Sequence, residues 1–375
     1  MTAAEYVPTA PLHHASASKT DVLFACQYWA SPSIQLPTEI SDSPYARFGS
    51  AFHKTMEVHL LEQAPDFYLI GQEFSLTIND VERLKNYYER GSGIIDKILT
   101  TNGWAALPRM VETKLAYDPF VDKARVLESK GQRDYSARKP TELPGTGDLI
   151  IPNVEAWQSP TGKALVVFDW KSGQSVYDAK KNLQLSSLGL MAAKLLNQSY
   201  VHVAILRLDD EFAEISEATR SATQLEHHRT ELKKALRGAL AESPSLTPGT
   251  YCQYCPALEI CPVHRDPYYP VEMLETAVST EQMAHIFPLL QAAEKKLHKA
   301  RERVKRYVEM NGPLDLDSGK RARIVDFEEE NISKASIKRA LGNVEGELLI
   351  EDLRAKGVIE KKLQHELRVV NTPGK

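Results

Sequence analysis

The 375-residue chain is poor in cysteine, with four in all, and it lacks an internal repeat, a low-complexity block and any long apolar run. So few thiols exclude a disulfide-stapled scaffold. Without about 18 consecutive apolar residues there is no candidate membrane helix. An excess of positive charge is also missing: 46 basic residues face 50 acidic ones, a net charge of -4, so contact with phosphates would have to come from local patches. The opening stretch, MTAAEYVPTAPLHHASASK, has neither the basic start nor the apolar core of a signal peptide, and the expectation is a cytoplasmic protein. What is present is ordinary: 42% apolar and 26% charged residues fit a globular chain able to bury a sizeable core.

Hydropathy patterning predicts the elements. Ser18 is placed to cap a short helix, TDVLFACQYW, carrying Cys26. PYARFGSAFHKTMEVHLLEQ reads as a helix with Phe52, Met56 and Leu60 on one stripe and with His53 and Glu57 one turn apart beside it. A third helix covers VERLKNYYERGSGIIDKILTTNG. Strands follow at VETKLAY, GDLIIP and ALVVFDWK, then a helix at DAKKNLQLSSLGLMAAKLLNQ and a strand at YVHVAILRL, a β-α-β unit that supports a partly parallel sheet. The stretch between VETKLAY and GDLIIP suits either an extended hairpin or a loop over a substrate. Further on, EQMAHIFPLLQAAEKKLHKARERVKRYVEM reads as one long helix, started or kinked at Pro288, with a seam of Leu290, Ala293, Leu297, Ala300 and Val304. The tail offers an extended piece at RARIVDFEE, helical SKASIKRALG and ELLIEDLRAKG, and a loose NTPGK.

The chemistry concentrates in the strands. Period-2 alternation puts Asp169 and Lys171 on one face of ALVVFDWK, with Trp170 on the other. Asp148, preceded by Gly145 and Gly147, comes alongside if its strand pairs with this one, giving two carboxylates with room for Mg2+ or Mn2+. An Asp-x-Lys on a strand is common, however, and an exposed ion pair is the plain alternative. His53 taken alone reads as readily as a structural histidine.

The ordered set His53, Asp148, Asp169, Lys171 and Gln184 resembles the RecB-like branch of the PD-(D/E)XK nucleases over residues 16–265. SASKTDVLFACQYW is similar to that branch's serine-rich start and first cysteine, FGSAFHKTMEVH to its G-x-x-x-H helix, GTGDLI and VVFDWKSG to its acidic motifs, and NLQLSSLGLMA to its glutamine helix. The resemblance implies a restriction-endonuclease-like α/β fold: a mixed sheet flanked by helices in residues 1–265, followed by a helical extension in 266–375. It implies a catalytic set of Asp148, Asp169, Lys171 and Gln184. It also implies a metal held by His53, Asp148, Asp169 and the Trp170 carbonyl, with Glu112 in a supporting or second-metal role. One position departs from the pattern: Leu188 stands where the branch often has a tyrosine, four residues after the glutamine.

Cys252, Cys255 and Cys261 cluster in TPGTYCQYCPALEIC, while Cys26 lies far away in sequence. A two-residue spacer lets two thiolates reach one centre, and Cys26 supplies the fourth ligand. This one-plus-three arrangement resembles the [4Fe–4S] staple of AddB-type nucleases; structural Zn2+ is the alternative. The implied partners are DNA ends or single strands and a helicase or recombination protein, with a role in repair, recombination or as a phage or prophage exonuclease. A non-cleaving DNA-end scaffold and an RNA-processing enzyme are the rivals. The seven basic residues between Lys295 and Arg306 suit phosphate contact, a solvated face or a partner interface equally.

Overall fold

In the computed structural model, residues 15–36, 44–128, 134–155, 159, 161–173, 178–210, 212–264, 279–312, 314–315, 321–322 and 348–352 are described. Contacts divide the chain into two units, Met1–Ala300 and Arg301–Lys375. The first contains helices α1 (Thr20–Ala25), α2 (Pro44–Leu60), α3 (Phe67–Glu73), α4 (Ile78–Thr101), α5 (Leu183–Leu196) and α6 (Ala222–Ala239). Its strands are β1 (Met110–Asp118), β2 (Lys123–Val126), β3 (Leu143–Glu155), β4 (Lys163–Ser172), β5 (Val201–Leu208) and β6 (Ala213–Arg220). Helix α7 (Thr280–Asn311) begins in the first unit and ends in the second, where Leu314–Asp315 (β7) pairs antiparallel with Arg321–Ala322 (β8).

The six strands form one mixed sheet in the order β2-β1-β3-β4-β5-β6. Only β4 and β5 run parallel, joined through α5; every other pair is antiparallel. This is the expected architecture, a mixed sheet flanked by helices. Alternation along β4 explains its near-continuous apolar sequence, because both faces are covered. Leu165 and Val167 join the core formed with α1, α5 and α6, whereas Val166, Phe168 and Trp170 join the core under α2 and α4. Helix α5 is apolar almost all round and is buried from Leu185 to Ala193. Among the described residues, no helix is long and apolar enough to cross a membrane.

Several local expectations are corrected. Helix α1 stops at Ala25, so Cys26 is the extended residue after it, and Ser18 lies in a 3-10 turn without capping the helix. The β1–β3 connection does extend a hairpin, because β2 pairs with β1. Elements α3, β2, β6 and α6 were not foreseen: α3 and β2 are short, β6 is mostly polar, and α6 carries its stripe of Leu225, Leu232, Leu236 and Ala239 in an otherwise charged sequence. In α7 the buried side chains are Ile286, Leu289, Ala292, Ala293 and Val308, while Leu297 and Val304 are about half exposed, at 47% and 49%. Of the expected seam, Ala293 is buried and Leu290 partly buried, whereas Ala300 is exposed. Pro288 sits inside the helix. The expected segments at 333–342 and 371–375 lie outside the described residues, and that at 347–357 is described only for the helical residues 348–352.

Candidate metal-dependent active site

Six elements and the turn at Ser16–Ser18 converge on one cleft of about 510 Å3. Helix α2 contributes His53, Lys54 and Glu57; β1 contributes Glu112 and Lys114; β3 contributes Thr146 and Asp148; β4 contributes Asp169 and Lys171; α5 contributes Gln184; and Glu73 closes the rim from α3. The predicted pairing of the acidic strands is present. Leu149 faces Phe168 in the antiparallel register, so Asp148 and Asp169 occupy the next rung, and the Trp170 N–H donates to Asp148 Oδ2 at 2.6 Å. Trp170's side chain is fully buried on the opposite face, stacked on Phe168 with ring centres 5.8 Å apart.

Asp169, Lys171 and Gln184 form a closed triangle. Lys171 Nζ lies 2.8 Å from Asp169 Oδ2 and donates to Gln184 Oε1 at 3.2 Å, and Gln184 Nε2 donates to Asp169 Oδ1 at 2.9 Å. Asn182 caps α5 by accepting from the Leu185 N–H at 2.8 Å, which fixes the helical turn that aims Gln184 into the cleft.

His53 Nδ1 lies 3.3 Å from both Glu112 Oε1 and Asp148 Oδ1. These three are the one group among the described residues whose ligand atoms all fall within 4.8 Å of one another. Glu112 therefore gains weight over its expected supporting role, while Asp169 stands just outside this group. Glu112 is also in the left-handed region, at φ 43°, between Val111 and Thr113, which pair with Leu149 and Gly147 on either side of Asp148. For a glutamate that conformation costs about 1–2 kcal/mol, a strain typical of functional positions.

The charges are strongly coupled. Burial pushes the His53 imidazole down, but the Asp148 and Glu112 carboxylates more than offset this and bring it up to about 10. Burial and the Asp148 charge raise Glu112 against the pull of His53. Burial also raises Asp169, whereas at Asp148 it is outweighed by His53, Lys171 and the Trp170 N–H, leaving that carboxyl below its usual range. Asp169 Oδ2 is buried, with Lys171 Nζ at 2.8 Å as its partner. Crowded carboxylates beside an imidazole, with the ligand atoms of His53, Glu112 and Asp148 within 4.8 Å of one another, make a hard donor set that a divalent cation fits.

A sequence profile of the PD-(D/E)XK nuclease superfamily matches residues 14–262, about two thirds of the chain. The chain belongs to this superfamily. Among curated proteins, no significant match was found. A solved structure titled "Crystal structure of SSO0001" is similar at 15% identity, covering 65% of this chain and 96% of that one, with a TM-score of 0.25.

The four cysteines are brought together from the two ends of the nuclease region. All are free and all line one small apolar pocket with Tyr28, Trp29, Tyr251 and Leu258. Tyr28 N–H donates to Ser245 O at 3.0 Å, tying the start of the chain to the cysteine loop. The Gly249 N–H donates to Cys252 Sγ at 3.3 Å. Burial pushes the Cys252 and Cys261 thiols up and takes Cys255 to about 12. A cationic centre is what would stabilise thiolates there; no three of the sulfurs lie within 4.8 Å of one another, a wider spread than one tetrahedral ion calls for. Ala292 of α7 packs on Cys252 and Leu258. Of the basic residues, Lys296 donates to His264 O at 2.6 Å, Lys295 sits 4.7 Å from the Tyr254 ring centre and Lys299 lies 3.8 Å from Glu259. These three lysines seat α7 on the cysteine loop.

Sequence reasoning missed the part of the cleft lining formed by Lys114, Tyr135 and Thr146. Strand parity with Glu112 was the available signal for Lys114; nothing local marks Tyr135, which lies in the connection preceding β3.

Proposed function

We propose that the protein is a Mg2+- or Mn2+-dependent deoxyribonuclease of the RecB/AddB-like branch, acting as an exonuclease at DNA ends or on single strands. The observation that carries this reading is the convergence of Asp148, Asp169, Lys171 and Gln184 with the His53–Glu112 pair in one cleft. A cleft of about 510 Å3 suits a small ligand or a frayed strand rather than a whole duplex cross-section. His53, Asp148, Asp169 and the Trp170 carbonyl would hold the cation, with Glu112 as a further ligand. The cation supplies an activated water and neutralises phosphate charge. Lys171 places a positive charge where negative charge builds on the phosphate and orients the attacking water. Gln184 keeps the lysine and Asp169 in register and offers its amide to the substrate.

The cysteines, on this reading, hold a [4Fe–4S] cluster that clamps the nuclease region, residues 1–265, closed; the site asks for no redox step. The chain would work in repair, recombination or phage DNA metabolism, fed by a helicase or recombination partner.

End-labelled single- and double-stranded DNA with Mg2+ or Mn2+, offered to anaerobically purified wild type, Lys171→Ala and Asp169→Ala, tests the proposal. Cleavage by the wild type is expected to fall at least about 10²–10³-fold in each variant with DNA binding retained. An inert wild type, or variants as active as it, would transfer support to a non-cleaving DNA-end scaffold.

A further inference from the structure

The catalytic residues account for only part of the cleft. Beside the acidic residues, one step further along the same face of β1 and β3, Lys114 and Thr146 line it together with Tyr135, without a role in metal binding. Lys114 is the register partner of Thr146, on neighbouring strands β1 and β3. The Tyr135 hydroxyl shares a 2.9 Å hydrogen bond with Thr146 Oγ1, fixing the connection that precedes β3 against the cleft. The Lys114 carbonyl accepts from the Leu127 N–H at 2.9 Å, so the strand bearing the lysine is held on both sides. Lys114, Tyr135 and Thr146 are each partly exposed within the cleft. Thr146 lies two residues before Asp148 along β3, a separation of about 6.8 Å. That places a cation and two hydroxyls roughly one extended nucleotide step from the acidic centre.

A phosphodiester chain in this cleft carries a charge at every step, but the acidic centre can accommodate only the phosphate to be cleaved. The neighbouring phosphate would face repulsion from Glu57, Glu73 and Glu112 unless a cation answers it. Lys54, on the acidic side, is already paired with Glu57 at 2.9 Å. Lys114 also feels the exposed Asp134 carboxylate, an interaction that an arriving phosphate can exchange for a stronger, charge-assisted one.

We propose that Lys114, Thr146 and Tyr135 form a phosphate-positioning subsite that seats the backbone phosphate next to the scissile one and so sets how the strand threads the cleft. This deepens the nuclease reading and rests on it for the identity of the substrate. The lysine and the hydroxyls touch backbone, not bases, so the subsite gives register without sequence preference.

The test separates the subsite from the chemistry. Binding of a fluorescent single-stranded oligonucleotide is measured against salt in Ca2+ for wild type, Lys114→Ala, Lys114→Arg, Tyr135→Phe and the distant, exposed Lys97→Ala; KM and kcat are then measured in Mg2+ or Mn2+. Lys114→Ala is expected to reduce the slope of log K on log salt by about 0.7–0.9, the change that follows when one phosphate is no longer neutralised by the protein. It should also raise KM several-fold with kcat nearly unchanged. Lys114→Arg should restore both, Tyr135→Phe should raise KM more modestly, and Lys97→Ala should match wild type. A Lys114→Ala protein that folds with a wild-type melting midpoint yet keeps the wild-type slope and KM would overturn the subsite. If the wild type binds with a Lys114-dependent slope but cleaves nothing, the nuclease reading fails and the subsite stands.

Discussion

Leu188 shows how a single position is decided by its surroundings. It follows Gln184 by one helical turn, where a tyrosine would be expected to reach substrate, yet it is fully buried. A Cβ added at Gly145 would come within 2.8 Å of Leu188 Cδ2 and of Ala17 Cβ, so α5 and the N-terminal turn press against β3 at this point. Leu188 is therefore a packing residue, and on the proposed reading contact with DNA would fall to Gln184. A second residue gives a prediction. His228 is buried beneath Ser187, whose hydroxyl lies 2.9 Å from its Nε2 and 3.0 Å from Thr20 Oγ1. Burial first, then the Arg220 and His227 charges, hold the imidazole down to about 4. An unfolded histidine titrates near 6.5. Because the folded value is depressed, the neutral ring's contribution is complete above about 6.5 and is lost as pH falls toward 4. The whole step is on the order of 3 kcal/mol. Urea denaturation of wild type and His228→Gln across this window should show a shallower acid limb in the variant; identical limbs would rule out His228 as the group responsible.

At the scale of elements, the β4–α5–β5 unit is the device that assembles the site. β4 presents Asp169 and Lys171 on one face because alternation leaves it no choice, and α5 returns Gln184 to the same point. The start of α5 depends on Asn182 as its cap. Asn182→Ala is expected to cost about 1 kcal/mol in chemical denaturation. It should also lower turnover, because Gln184 lies two residues into the helix and loses its fixed aim; wild-type turnover in a destabilised Asn182→Ala protein would show that Gln184 needs no such support. Elements of this unit were legible in the sequence because each is a strongly apolar run with a polar exception at a definite place: Asp169 and Lys171 in an apolar strand, Gln184 in an apolar helix. Helix α6 and strand β6 were not, since their sequences are mostly polar and only one side of each is covered.

For the whole molecule, the long-range closure between Cys26 and the Cys252–Cys261 loop matters most. It joins positions more than two hundred residues apart and, once ligated, restrains much of the chain's freedom in the unfolded state. Cys26→Ser, purified without oxygen, is expected to lose iron and the absorbance near ~400 nm, and to melt several degrees below wild type. A wild-type protein containing stoichiometric zinc and no iron would replace the cluster by a zinc staple.

By itself the sequence determined which residue types could do chemistry, their order along the chain and the faces they share within one strand or helix, because those follow from fixed backbone periods. The tertiary structure alone decided which of them meet. The sheet register set Asp148 beside Asp169 and Glu112 beside Asp148, and the docking of α2 brought His53 to both carboxylates. Tyr135 came to Thr146 through the connection preceding β3, and α7 turned toward the cysteine loop the face that bears Ala292. Meetings of this kind depend on packing between elements distant in the chain, and no local period encodes that distance.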